Sequence, residues 1–297
     1  MPNYMNNDEL RGFIPTEQSD EVIKQTVRGS SVLRLAKLED MNSDTKTVPV
    51  MTEGAGAYWV GEGQRIQTSK ATWIFPKLEA KKLAVIIPCT KEKLHDASID
   101  VFSELKENIA EAFYTAIDSA ALFGTNSPFA QNIFQTASER ENLIVMGTNK
   151  TLDLDVSDAM GLVEAAGLDV NGAATHIGIK KALRNLRDTN GNMLYVPDTD
   201  TTQFYANPIE FNRNGAWDKD KAELIVGDWT KLLVGICQDI EYEILKEATL
   251  QGTLNEDGKP LSLAEQDLIA IKATMRIGFL QVMDDAFAVI TPTQTAI

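Results

Sequence analysis

The stretch that decides the fold runs from Asp100 to Gly124 and reads DVFSELKENIAEAFYTAIDSAALFG. Apolar residues recur through it at spacings of three and four, which is the period of an amphipathic helix with one buried side. Asp100 is a suitable N-cap, and Gly124 is a suitable residue to end the helix. We therefore predict a helix of about 24 residues, roughly 36 Å long at about 1.5 Å per residue.

Short helices and strands surround this helix in irregular order. Immediately before it, Lys81–Thr90 (KKLAVIIPCT) is an apolar run typical of a strand. From Ser157 onward the elements alternate without the regular spacing of βαβ units, which favours an α+β fold over a doubly wound sheet. The predicted helices here are 157–167 and 180–187, and the predicted strands are 175–179, 193–196, 202–205, 222–226, 231–236, 268–282 and 286–290.

Composition restricts the classes of function. The chain has 297 residues, 43 Asp+Glu against 28 Lys+Arg, and a formal net charge of −15. A protein that grips nucleic acid usually carries a basic face, and this chain has no overall excess of basic residues to supply one. Met1–Arg11 is polar and acidic rather than a secretory signal, and no apolar run is long enough to span a membrane, so we expect an intracellular protein.

Residues that bind metals are scarce. Cys89 and Cys237 each lie in an apolar stretch, so we predict buried free thiols rather than a disulfide. The only histidines, His95 and His176, have no close ligand spacing with each other or with the cysteines. We therefore predict no metal site.

Enzyme motifs are also missing from the sequence. Gly54-x-Gly56 and Gly61-x-Gly63 lack the third glycine of a dinucleotide loop, no Walker motif and no G-x-S-x-G occur, and we predict no cofactor. A hydrolase that uses clustered carboxylates stays open as an alternative, although adjacent acids are expected on the surface of a chain this acidic. The acid pairs in question are Asp153/Asp155, Asp198/Asp200 and Asp284/Asp285.

Two segments near the N-terminus have no evident core of their own. The first fifty residues read as an arm with a short helix at Ser19–Val27. The second segment is a long hairpin, with predicted strands at Tyr58–Val60 and Trp73–Leu78 and a polar stretch from Gln64 to Thr72 between them. An isolated hairpin is marginal in water, so it either folds back onto its own domain or projects onto something else. Its long polar tip favours projection.

The order of these features resembles the tailed-bacteriophage major capsid protein family. The resemblance spans about residues 14 to 290, and no single motif is diagnostic alone. The residues that carry it are Ile14-Pro15, Val22-Ile23, Val48-Pro49-Val50, AYWVGEG at 57–63, Leu83-Ala84-Val85, the helix end Asp118–Gly124, LRNLRDTNGN at 183–192, Gly227-Asp228-Trp229, Ile271–Gly278 and DAFA at 285–288.

The resemblance implies a division of the chain into the parts of that fold. Residues 1–32 match the N-arm, 55–80 the extended E-loop, and 157–264 the apical domain. The remaining ranges, 33–54, 81–156 with the spine helix 100–124, and 265–297, match the peripheral domain. The arm and the loop are then expected to lie over neighbouring subunits, which supplies the missing core from another molecule.

The function that the resemblance implies is structural rather than enzymatic. We expect a major capsid protein that assembles as hexamers and pentamers into an icosahedral shell around double-stranded DNA, in the cytoplasm of a bacterial host, with a separate scaffolding protein, a portal protein and decoration proteins as partners. An acidic wall encloses DNA without adhering to it, so the charge of −15 is compatible with this role. An encapsulin-like nanocompartment shell is the nearest alternative.

The residues proposed for the contact between subunits are Trp59, Trp73 and Phe75 as apolar anchors and Glu62, Arg65 and Lys70 as charged contacts.

Two departures from the family pattern limit this expectation. Many members begin with a long scaffolding segment that is cleaved off, whereas this arm starts almost at Met1, so the scaffold is either a separate protein or a segment already removed from a longer chain. We expect the former because Met1-Pro2-Asn3 reads like a natural start. Some members cross-link neighbours through a lysine of the loop and an asparagine near the C-terminus. Lys70 and Lys77 are present here but the last asparagine is Asn255, and we predict no such cross-link.

Overall fold

The computed structural model describes residues 29–66, 68–91, 101–149, 151–187, 190–192, 203–205, 207–254 and 258–293. Residues 1–28 of the predicted arm, with its helix Ser19–Val27, lie outside the described residues, as do the predicted strand 193–196 and His95. The helices are α1 (Ser31–Leu35), α2 (Val101–Phe123), α3 (Ile133–Glu139), α4 (Leu152–Ala165) and α5 (Ile179–Asn185). The strands are β1 (Lys37–Asp40), β2 (Thr45–Thr47), β3 (Val50–Glu53), β4 (Thr72–Ile74), β5 (Lys77–Glu79), β6 (Lys81–Thr90), β7 (Leu143–Val145), β8 (Gly172–His176), β9 (Gln203–Phe204), β10 (Asn207–Asn212), β11 (Leu224–Gly227), β12 (Leu232–Leu245), β13 (Thr249–Leu254), β14 (Pro260–Ser262), β15 (Leu268–Gln281) and β16 (Phe287–Thr291).

The long predicted helix is confirmed as α2, which has 23 residues. Its predicted N-cap, Asp100, lies outside the described residues. At the other end Gly124 has a φ of +67°, the left-handed conformation that glycine adopts most readily after the last helical turn. The apolar side of the helix is buried at each turn, at Leu105, Ile109, Phe113, Ile117, Ala120 and Ala121.

One side of α2 faces a four-stranded sheet with the order β1-β12-β15-β6. Strand β6 occupies the predicted residues 81–90 and pairs antiparallel with β15 in continuous register, from Leu268 opposite Thr90 to Ile277 opposite Lys81. Strand β12 has 14 residues, whereas the prediction ended at Ile236. Its second half alternates exposed and buried residues, such as Asp239 and Ile240, and this alternation interrupts the apolar run that marked the first half.

A six-stranded mixed sheet, with the order β7-β16-β11-β8-β10-β9, forms the second layer. Strand β8 begins at Gly172, three residues before the predicted strand, because its small residues Gly172, Ala173 and Ala174 give a weak strand signal. Helix α4 begins at Leu152, five residues before the predicted Ser157, and its first turn contains Asp153 and Asp155. Acidic residues are favoured there by the helix dipole.

The largest apolar core joins the two sheets through α2. It combines residues of the helix with Val234 and Met275 of the four-stranded sheet and Ile225 and Val289 of the six-stranded sheet. Helices and sheets are thus mixed, each of the two large sheets combines parallel and antiparallel pairs, and the α+β class is confirmed. The domain ranges stay a prediction. Sheet membership crosses them, since β12 within 157–264 pairs with β15 beyond residue 264.

Candidate inter-subunit surface

The extended loop, residues 55–80, stands on the four-stranded sheet. Its last strand, β5, pairs antiparallel with β2, and Leu78 in the middle of β5 is fully buried. A Cβ atom added to Gly278 of β15 would lie 2.2 Å from the carbonyl oxygen of Glu79. Only a glycine allows the backbone of the loop base to approach the sheet this closely. The base of the loop is therefore fixed by packing and by backbone contact.

Beyond this base the loop leaves the body of the protein. Strands β3 and β4 pair with Met51 opposite Trp73, and residues 54–66 and 68–71 form no helix or strand. The chain reverses in a turn in which the amide of Gln64 donates to the carbonyl of Gly61 at 3.1 Å. Gly56 N donates to Ser69 Oγ at 2.6 Å and joins the two sides of the loop.

Two strand predictions in the loop were wrong. Tyr58–Val60 forms no strand. The predicted strand Trp73–Leu78 is divided into β4 and β5 by Phe75 and Pro76, because proline has no N–H to donate to a ladder.

All six predicted contact residues lie on this loop with exposed side chains: Trp59, Glu62, Arg65, Lys70, Trp73 and Phe75. Trp59 has a relative exposure of 106% and Phe75 of 62%, so the alternative of a hairpin folded back onto its own domain is wrong for these two residues. The sequence prediction missed Ile66, which is 78% exposed, and Ile74. The sequence signal that could have identified Ile66 is an isolated apolar residue within a polar stretch. Contiguous exposed apolar side chains on a soluble chain mark an interaction surface.

A polar cluster fixes the root of the N-terminal arm on α2. Asp118 of α2 is fully buried and accepts hydrogen bonds from Ser31 N at 3.0 Å and Val32 N at 3.1 Å. It also accepts from Ser30 Oγ, from Asn212 Nδ2 at 3.0 Å and from Asn214 Nδ2 at 2.8 Å. Burial raises the pKa of the Asp118 carboxyl, and the hydrogen bonds oppose that rise. One carboxylate thus joins the arm root, α2 and the six-stranded sheet.

An apolar groove lies beside the base of the loop. The rings of Phe129 and Phe279 form its floor, with their centroids 4.1 Å apart. Two adjoining cavities meet there, of about 350 Å³ and about 300 Å³. The aliphatic lining includes Leu83, Ile117 and Pro128, and Lys77, Lys81 and Lys82 stand at the rim.

Three members of the acid pairs, Asp155, Asp284 and Asp285, have structural partners, whereas Asp153 Oδ1 is buried without a hydrogen-bond partner among the described residues. Asp155 is fully buried and accepts from Gly147 N at 2.6 Å and Asn149 N at 2.9 Å. Asp284 and Asp285 both pair with Arg140. Asp198 and Asp200 lie outside the described residues.

The thiols and the described histidine also have ordinary environments. Both cysteines are free, but Cys237 is partly exposed rather than buried as predicted. Cys89 is buried, which raises the pKa of its thiol to about 11. His176 Nε2 lies 2.7 Å from Glu223 Oε2, and its Nδ1 accepts from Gly178 N at 3.0 Å. Within the described ranges, no three His, Cys, Asp or Glu side chains come together as metal ligands.

The sequence and the structure both match proteins of phage heads. The model of the phage capsid family matches residues 12–291. The chain is 35% identical to the major capsid protein of Staphylococcus phage 80alpha over 98% of this chain and 88% of that protein. It is 25% identical to the probable major capsid protein gp17 of Mycobacterium phage L5, covering 95% of this chain and 90% of that one. A solved structure from Microbacterium phage Oxtober96 superposes with a TM-score of 0.80 at 30% identity, over 94% of this chain and 93% of that chain.

The α+β fold shared with these phage proteins, together with the projecting apolar loop, is that of a structural protein of a virus shell. The chain belongs to the phage capsid family, and within it to the major capsid proteins of tailed phages. It is therefore a component of the virion capsid, and the comparisons favour neither the nanocompartment nor the hydrolase alternative. Among the described helices, none is long and apolar enough to cross a membrane.

Proposed function

We propose that this chain forms hexamers and pentamers that close into an icosahedral head around double-stranded DNA, and that the extended loop and the N-terminal arm join neighbouring subunits. Its further partners are a separate scaffolding protein, a portal protein and decoration proteins, and assembly takes place in the cytoplasm of a bacterial host. The observation that carries the proposal is the loop itself. Trp59 is fully exposed on a segment whose base is firmly packed.

The energetics of the loop support a partner in another subunit. A buried aromatic side chain removes about 150–250 Å² of surface from water, and each Å² of apolar surface contributes about 25 cal/mol. Trp59, Trp73 and Phe75 are all half exposed or more in the single chain. Covering them in the assembled shell stabilises each contact, and a closed shell repeats that contact over every copy.

The charge of the chain supports enclosure of DNA rather than adhesion to it. At a net charge of −15 the shell repels the phosphate backbone at distances within the Debye length, about 8–10 Å at physiological salt. Packaged DNA then stays free to leave the head.

Assembly of loop variants tests the proposal. Chains with Trp59→Ala or Trp73→Ala are produced together with the other head-assembly genes, and particles are counted by negative-stain electron microscopy. We expect closed shells from the parent chain and few from either variant, because alanine removes the apolar anchor.

Two controls make the result specific. Trp59→Phe keeps an aromatic anchor and is expected to retain most particle formation. Circular dichroism of the unassembled alanine variants should show a folded subunit, since Trp59 is fully exposed and Trp73 half exposed in the single chain. Shells at normal yield from both alanine variants would refute the role of the loop, and only small fixed oligomers from the parent chain would refute the shell itself.

A further inference from the structure

No described residue of the same chain fills the groove beside the loop base. Phe129 is partly exposed and lies against Phe279 at the junction of the two cavities. Each cavity is of the size of a small-molecule pocket, for which about 300–1,000 Å³ is usual. The lining also draws on α2, through Ala116 and Ala120. Small alanine side chains leave open the space that a large ring fills.

The loop tip of the same chain does not fill this groove. Lys77 and Glu79 of the loop base themselves line it, so the tip would have to double back over its own base. From Thr47 to Trp59 the loop has about 12 residues, which extend for up to roughly 40 Å. None of the described residues covers the side chain of Trp59. An apolar ring and an apolar groove are therefore both present in each subunit, and they are separated.

One acidic residue of the loop tip and one lysine of the groove rim are of opposite charge, although Arg65 and Lys70 are also exposed on the loop. Lys81 at the rim pairs with Glu79 at 2.8 Å, while Lys82 is exposed beside the cavity of about 300 Å³. On the tip, Glu62 is exposed three residues after Trp59. The chain has a net charge of −15. A lysine at the edge of its apolar groove favours the docking of an acidic segment and disfavours the docking of a basic one.

We propose that Trp59 of one subunit inserts into the groove formed by Phe129 and Phe279 of a second copy of this chain, with Glu62 next to Lys82. This inference rests on the proposed function and names the receiving surface of the loop. The contact joins two different surfaces, so it is heterologous, and a heterologous contact propagates from copy to copy until it closes a ring or extends a filament. A ring of five or six copies closes through this one type of contact and needs no additional contact surface.

Disulfide trapping tests the contact in assembled particles. In a Cys237→Ser background, Val60→Cys is placed beside Trp59 and Ala130→Cys is placed on the exposed edge of the groove. The remaining cysteine, Cys89, is buried. After mild oxidation we expect most of the chain to run as covalent multimers on a denaturing gel without reductant, and as a single band with reductant. The matched control pairs Val60→Cys with Glu164→Cys, an exposed residue of α4 that lines neither cavity of the groove, and should stay monomeric.

Charge reversal gives a second readout that does not require cysteines. Glu62→Lys and Lys82→Glu should each lower the particle yield roughly tenfold, since a like-charge contact opposes docking. The double variant should restore most of the yield.

The outcomes separate this inference from the proposed function. Normal particles without multimers from the 60/130 pair, equal multimers from the control pair, or no recovery in the double charge variant would overturn the groove assignment and leave the shell intact. Failure of the parent chain to form shells would instead overturn the proposed function.

Discussion

At the scale of single residues, Asp118 is the side chain on which most of the architecture converges. It is fully buried, has no basic partner within hydrogen-bond distance among the described residues, and is surrounded by donors from the arm root and the six-stranded sheet. A buried carboxylate is costly unless hydrogen bonds satisfy it. The sequence gives no sign of this role, because the donors lie about 90 residues away on both sides of it along the chain.

Asp118→Asn should lower the free energy of unfolding of the unassembled subunit by about 3 kcal/mol. Asparagine keeps one acceptor oxygen but presents an N–H₂ group to neighbours that are themselves donors. Urea unfolding followed by tryptophan fluorescence measures the change. Glu111→Gln removes a charge from the exposed side of the same helix and should change the value by less than about 0.5 kcal/mol. Equal effects of the two substitutions would show that Asp118 is no anchor.

At the scale of elements, prediction succeeded where a pattern is local and failed where tertiary contacts decide. The helix predicted at 100–124 and the strand predicted at 81–90 match α2 and β6, because each has a continuous apolar period of its own. Tyr58–Val60 has the composition of a strand but pairs with no strand among the described residues. The six predicted contact residues were chosen from their types alone and are exposed, and their contact with another subunit stays a prediction. The groove is built by segments distant in sequence and has no sequence signature.

Gly278→Ala should detach the loop base from the sheet. The added methyl group would lie 2.2 Å from the backbone oxygen of Glu79, and backbone gives way less easily than a flexible side chain. We expect a loss of about 2 kcal/mol or more in the free energy of unfolding and fewer particles. Gly252→Ala in strand β13, where nothing lies within 4 Å of the new methyl group, is the matched control. Stability at the parent value in the Gly278 variant would contradict the close packing of the loop base.

At the scale of the whole molecule, the packed body and the projecting loop have separate roles. One apolar core joins both sheets through α2, so the body is stable without the loop tip. The exposed aromatics of the tip have no comparable packing in the described part of the chain, and the proposed contact with another subunit would cover them. This division follows from the family of the chain and from the exposure of the loop taken together.

Trypsin should distinguish the free subunit from the assembled shell. Arg65 and Lys70 are exposed near the turn of the loop, so we expect rapid cleavage there in the free subunit and at least tenfold slower cleavage in particles, where a neighbour covers the tip. Intact-mass analysis locates the cuts. A variant with Arg65→Gln and Lys70→Gln should resist cleavage at these positions in both states. Equal rates of loop cleavage in subunit and particle would contradict coverage of the tip.

The measurement that tests the central claim most directly is a cryo-electron microscopy reconstruction of the assembled particles at side-chain resolution. We expect a closed shell in which Trp59, 106% exposed in the single chain, is buried against another copy. A shell in which Trp59 still faces solvent would contradict the claim that the extended loop joins neighbouring subunits.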